Sequence, residues 1–203
     1  MKKLFSSALV IFSVIFSFFL GFNYIKNKAP EPELPQILGE QKVSPQPTVI
    51  SEPEISNPVN LKIPKINIDS QIEEVEDDSQ GRMDVPKDAM NVAWYKLGYK
   101  IGEGGSAVLA GHFDMADGSP AIFYDLEKLE VGDEILTTTE TGQEFRFKVT
   151  DKKSYDFDKV PMQEIFLSDD KARLNLITCE GIFNKSDKNY SKRLVIFSEL
   201  QKT

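Results

Sequence analysis

The chain has 203 residues, 40% of them hydrophobic, with 24 basic against 32 acidic side chains and a net charge of −8. That composition excludes a wholly disordered polymer, a collagen-like repeat and a disulfide scaffold, and the length suits one folded domain of roughly 100–200 residues. The acidic balance also argues against a nucleic-acid partner, which would require a basic face.

Residues 4–22, LFSSALVIFSVIFSFFLGF, contain no charge and no proline. At about 1.5 Å per residue in a helix, such a run matches the ~30 Å hydrocarbon core of a bilayer. Lys2 and Lys3 precede it, which favours a cytoplasmic N-terminus, and no small-residue cleavage site follows it. The expectation is an uncleaved signal anchor over residues 1–25, with the remainder exported across the membrane.

Residues 26–58 change character. Seven of the eleven prolines fall in this stretch, among Glu, Gln and Ser, and no segment has enough apolar residues to bury. It reads as an extended stem. Residues 1–58 carry five lysines against five glutamates, so the whole excess negative charge belongs to residues 59–203, the size of an ordinary single domain.

Within that domain the apolar residues recur mostly with period two, the pattern of half-buried strands. Phe145, Phe147 and Val149 alternate with Glu144, Arg146 and Lys148. Leu174, Leu176 and Thr178 alternate with Arg173, Asn175, Ile177 and Cys179, and Arg193, Val195 and Phe197 alternate with Leu194, Ile196 and Ser198. Shorter strands are predicted at 59–63, 68–75, 106–112 and 133–139. A short helix is predicted after Ser119-Pro120, which suit an N-cap and a first helical position, with Ile122, Phe123, Leu126 and Leu129 as its apolar stripe. A second helical turn is expected after Pro161. The fold class is therefore mainly β, a closed or sandwiched sheet with one or two short helices.

Three residues stand out chemically. Cys179 is the only cysteine, so no disulfide can form within the chain. It falls where a predicted strand meets a loop, and an unpaired thiol exported to an oxidising compartment has little use unless it reacts. His112, the only histidine, ends another strand and titrates in the range needed to exchange a proton with a thiol. Arg193 begins the last strand, fourteen residues after Cys179. That spacing fits an adjacent antiparallel strand and would bring a permanent positive charge beside the sulfur. One Cys and one His fall short of the usual four zinc ligands, so neither a metal nor a cofactor is expected. Asp114 reads as a turn residue that could also orient His112. The acidic run Glu73, Glu74, Glu76, Asp77 and Asp78 reads as a solvated loop in preference to a calcium site.

These residues resemble the sortase family. Leu174–Cys179, LNLITC, is similar to the family's T-L-x-T-C motif, with Asn175 where Thr is usual; Gly111-His112 resembles its histidine motif, and Arg193 falls where its third catalytic residue is expected. Val85-Pro86-Lys87-Asp88 with Asn91, Trp94 and Tyr95, then Ser106–His112, Pro120–Leu126 and Thr178–Phe183, resemble class F sortases in particular. The resemblance implies a β-barrel of about eight strands and a cysteine transpeptidase. Cys179 would attack an LPXTG-like sorting signal and form a thioacyl enzyme. His112 would shuttle the protons, Arg193 would hold the substrate carbonyl and its oxyanion, and Thr178 would support substrate binding. The implied partners are secreted proteins bearing a sorting signal and an amine acceptor such as a cell-wall precursor. The implied location is the outer face of a bacterial cell membrane of the Gram-positive type, with a single membrane pass. Two other readings of the same residues are a cysteine peptidase releasing the acyl group to water and a catalytically silent anchored binding module.

Overall fold

The computed structural model describes residues 54–166 and 169–202. The predicted membrane segment and nearly all of the proline-rich stem lie outside these residues. Eight strands form a closed barrel: β1 (Pro58–Ile63), β2 (Ile68–Val75), β3 (Val92–Tyr95), β4 (Gly105–Ala110), β5 (Glu134–Thr139), β6 (Glu144–Asp156), β7 (Ala172–Asn184) and β8 (Asn189–Leu200). Their order around the barrel is β1-β2-β3-β4-β7-β8-β6-β5. The β2/β3 and β4/β7 pairs are parallel and the others antiparallel. Closure removes the unpaired edges that an open sheet would expose.

The alternation in the sequence sorts residues between the two barrel faces. Leu61, Trp94, Leu109, Phe123, Phe147, Leu174 and Ile196 fill the interior and are at most 2% exposed. Each buried side chain of this size contributes about 1.5–3 kcal/mol of transfer free energy. A second, smaller cluster lies on the outer face, where Val108, Val195, Phe197 and Ile177 pack against Ile165 and Phe166. The cover comes from the β6–β7 connection, whose single helical turn α1 (Met162–Ile165) follows Pro161 as expected.

Three departures from the sequence expectations have physical causes. The strand β3 shows no alternation because Val92, Ala93 and Trp94 are all buried, so both of its faces are covered. The strand β7 runs past Gly181, which a linear reading takes as an end; the glycine instead occupies a bulge with φ +87° between Glu180 and Phe183. The helix predicted after Ser119 is replaced by turns ending in a 3₁₀ helix at Leu126–Lys128. Ser119 bonds to Asp117 instead of capping. The amides of Ala121, Ile122 and Phe123 donate to Phe113, Ala89 and His112 carbonyls. The apolar stripe is buried as predicted, but its backbone bonds go to neighbouring segments, not along a helix.

Candidate active site

The site is built at the point where β4, β7 and β8 lie side by side. Parallel pairing sets Ala110 against Ile177, and the Gly111 amide donates to the Ile177 carbonyl at 3.1 Å. His112 follows Gly111, two residues beyond that last pair, as Cys179 follows two residues beyond Ile177. On the other side of β7, antiparallel pairing sets Cys179 directly opposite Arg193. Directly opposed residues project from the same sheet face. Leu174 and Leu176 point inward, so Cys179, one residue out of phase with Thr178, projects outward with Arg193. Cys179 and Arg193 thus project from adjacent strands to one outer surface, and His112 stands two residues beyond the end of β4; all three are half-buried.

A bulge interrupts the β7–β8 ladder just beyond Cys179. Regular β7–β8 pairing lapses there and resumes at Phe183 opposite Tyr190, with the Ile182 amide held by Ser191 Oγ at 3.0 Å. A side chain at Gly181 would collide with Ser191 Oγ and would also strain the left-handed backbone.

His112 is anchored by the β2–β3 connection. Its Nε2 lies 3.2 Å from the carbonyl oxygen of Pro86, itself a buried residue. A carbonyl only accepts, so this contact assigns the hydrogen to Nε2 and leaves Nδ1 as the acceptor of the neutral ring. No hydrogen bond joins the ring to the sulfur among the described residues. The loop carrying Pro86 is organised by Glu73, which accepts from the amides of Lys87 and Asp88 and from Asn91 Nδ2. Those donors hold the Glu73 carboxyl below its ordinary range, the Lys87 amide contributing most. Of the acidic run, Asp77 accepts from Tyr95 and Asp78 binds Arg82. These carboxylates are loop-forming acceptors, more engaged than a solvated run.

Arg193 donates through Nη1 to the carbonyls of Tyr190 (3.2 Å) and Lys192 (2.9 Å), and through Nη2 to Asn189 Oδ1 at 2.6 Å. All three acceptors are neutral, and Arg193 forms no ion pair among the described residues. Its positive charge is not neutralised by a carboxylate there and favours the Cys179 thiolate. Burial pushes the thiol above its ordinary range; Arg193 opposes that shift, and the Asp114 carboxylate adds to it. Asp114 does not reach His112. It accepts a hydrogen bond from the Tyr190 hydroxyl. Burial and that bond raise the Tyr190 phenol to about 12.

Thr178 is 3% exposed and faces the interior, where its hydroxyl donates to the Gly111 carbonyl at 2.8 Å. That hydroxyl ties the residue before the cysteine to the residue before the histidine. Asn175 is fully buried on the outer face and donates to the Ile165 carbonyl at 2.7 Å, fastening α1 onto β7. Tyr190 and Asn189 belong to the site without having been singled out in the sequence, and Pro86, part of the stretch that carried the resemblance, enters it through its backbone carbonyl. Their contributions are a hydroxyl, an amide oxygen and a backbone carbonyl, which no spacing rule singles out.

A cavity of about 430 Å³ lies on the same outer face, between the β2–β3 connection and α1, and is lined by Met83, Tyr95, Leu97, Tyr99, Met162 and Phe166 among others. Tyr95 and Phe166 meet edge to face at 5.5 Å in its wall.

Comparison with curated protein sequences yields no significant match. Solved structures are similar in fold. Sortase C from Clostridium perfringens SM101 is 22% identical with a TM-score of 0.54, covering 72% of this chain and 71% of that one. A Clostridium perfringens sortase D5 transpeptidase is 21% identical with a TM-score of 0.54, covering 73% and 83%. Sortase A from Listeria monocytogenes is 21% identical with a TM-score of 0.54, covering 71% and 86%. The sortase-domain family matches residues 61–201. The chain belongs to the sortase family of cysteine transpeptidases.

Proposed function

We propose that this chain is a membrane-anchored sortase of class F type, held at the outer face of a bacterial membrane by residues 1–25 and displayed on the stem of residues 26–58. It cleaves an LPXTG-like sorting signal and passes the acyl group to a cell-surface amine. The observation carrying this reading is the strand register that sets Cys179 beside Arg193 and in line with His112. The class F assignment rests on the sequence stretches around Val85–Asp88 and Thr178–Phe183.

The Cys179 thiolate attacks the threonine carbonyl carbon of the signal, forming a C–S bond. Negative charge develops on the carbonyl oxygen, and the Arg193 guanidinium stabilises it. His112 in its protonated form gives a proton to the departing amine as the C–N bond breaks, leaving a thioacyl enzyme. Thr178 keeps the two strand ends in register. The 430 Å³ cavity suits the apolar residue of the signal.

The test incubates the full-length chain with an LPXTG peptide, with and without triglycine, and follows the mass of Cys179. A peptide acyl adduct on Cys179, and a triglycine conjugate when the amine is present, support the proposal. Release to water alone even with amine present identifies a peptidase. The absence of any adduct, with Cys179→Ala behaving like wild type, identifies a binding module.

A further inference from the structure

We propose that the aromatic cluster around Asp114, beside Cys179, is the site that receives the primary ammonium group of the acyl acceptor. This inference rests on the transpeptidase reading above and adds a specificity element to it: selection of an amine over water.

The geometry has two parts. Phe113 stacks on Tyr124 with centroids 4.9 Å apart and meets the edge of Tyr190 at 5.6 Å, while Tyr190 lies 5.2 Å from Phe183. Tyr124 is 41% and Phe183 46% exposed, so the cluster opens to solvent. Within it stands the Asp114 carboxylate, whose Oδ2 is held by the Tyr190 hydroxyl. Its Oδ1 has no hydrogen bond, and the carboxylate no ion pair, among the described residues. Aromatic faces around a carboxylate are the chemistry that recognises an ammonium group.

The carboxylate's position also calls for such a role. Asp114 is close enough to Cys179 for its charge to be felt at the sulfur. A negative charge there disfavours the thiolate, so Asp114 works against the first step of the reaction. It favours the arrival of the acceptor as an ammonium ion, which gives up one proton before it attacks the thioester. A free α-amine with a pKa of about 7.7–8.0 is mostly ammonium at neutral pH.

Transfer then balances as follows. The bound ammonium loses one proton to water. The nitrogen lone pair forms a bond to the acyl carbon, the C–S bond breaks, and the second nitrogen proton passes through His112 to the departing sulfur, restoring the thiol.

The experiment compares full-length wild type, Asp114→Asn and Asp114→Glu, using an LPXTG peptide with triglycine or with hydroxylamine, which is uncharged at neutral pH. The asparagine oxygen still accepts from Tyr190, so Asp114→Asn removes charge and leaves that hydrogen bond in place. The expected result is a KM for triglycine raised about tenfold, the loss of one charge-assisted contact. More acyl group should be released to water, Cys179 acylation should be faster, and the KM for hydroxylamine should change by less than about twofold. Asp114→Glu should recover most of the triglycine preference. An unchanged KM for triglycine in Asp114→Asn, or equal increases for both amines, overturns the inference while leaving the transpeptidase reading intact. A wild-type chain that forms no peptide adduct overturns both.

Discussion

Thr178 donates a 2.8 Å hydrogen bond to the carbonyl oxygen of Gly111, joining β7 to the end of β4 one residue before both Cys179 and His112. The bond lies on the interior face, and the two reactive side chains lie on the exterior one. It fixes the relative height of two strand ends that pair in parallel, where backbone bonds alone slant and are slightly weaker. Thr178→Val keeps the shape and removes the donor. The expected cost is about 1 kcal/mol of stability, together with about a tenfold fall in acylation rate from loss of register. Thr178→Ser restores both. Urea denaturation and single-turnover acylation check the pair.

Cys179 reactivity should climb late with pH. Burial holds the thiol above its ordinary range, so the thiolate fraction at neutral pH is below that of a free cysteine. Arg193 favours the thiolate and Asp114 disfavours it. Removing Arg193 therefore moves the alkylation midpoint to higher pH, and removing the Asp114 charge moves it to lower pH. The initial rate of iodoacetamide alkylation against pH, for wild type, Arg193→Ala and Asp114→Asn, reads the three midpoints directly. Identical midpoints would contradict the assignment of charges around the sulfur.

Glu73 links acid stability to the position of His112. Its folded carboxyl lies below its ordinary range, so its stabilising effect is complete above the unfolded carboxyl pKa. That effect is lost as pH falls through the lower folded value. Glu73→Ala should destabilise the domain by about 0.5–1.5 kcal/mol at neutral pH, because the exposed Lys87 and Asp88 amides exchange a carboxylate acceptor for water. The variant should also show a shallower loss of stability on acidification. Denaturation midpoints measured at several acidic and neutral pH values test both statements.

Asn175→Ala should loosen α1 while sparing the barrel. The buried amide is the partner of the Ile165 carbonyl, and its loss leaves that acceptor unpaired at a cost of about 1–3 kcal/mol. Hydrogen exchange should accelerate in residues 161–166 more than in β7 and β8. Uniform acceleration throughout the domain would contradict the local role.

Gly111→Ala tests the packing behind the histidine. A Cβ there would stand 2.5 Å from Phe123 Cδ2, whose residue also bonds through its amide to the His112 carbonyl. Overpacking of this kind costs about 1–3 kcal/mol. The expected signature is reduced acylation as well as a lower melting temperature, because relief of the clash moves the backbone that carries the imidazole.

The sequence by itself determined which residues share a face. Period-two alternation in 144–149, 173–179 and 193–198 divided the side chains into two sets that the barrel keeps on opposite faces, because a pleated strand allows only two directions. In 193–198 both sets are largely apolar, and closure decided which faces inward. It also isolated one thiol, one imidazole and one C-terminal arginine as the groups worth following. Only the tertiary structure decided what those groups meet. Parallel pairing of β4 with β7 spans 67 residues between Gly111 and Thr178, and no local pattern encodes such a contact. The same holds for the Pro86 carbonyl on His112, for the Tyr190 hydroxyl on Asp114, and for the segment after Ser119, whose amides found partners outside a helix. Backbone and hydroxyl donors and acceptors are nearly identical along any chain, so which of them pair is settled by closure of the barrel.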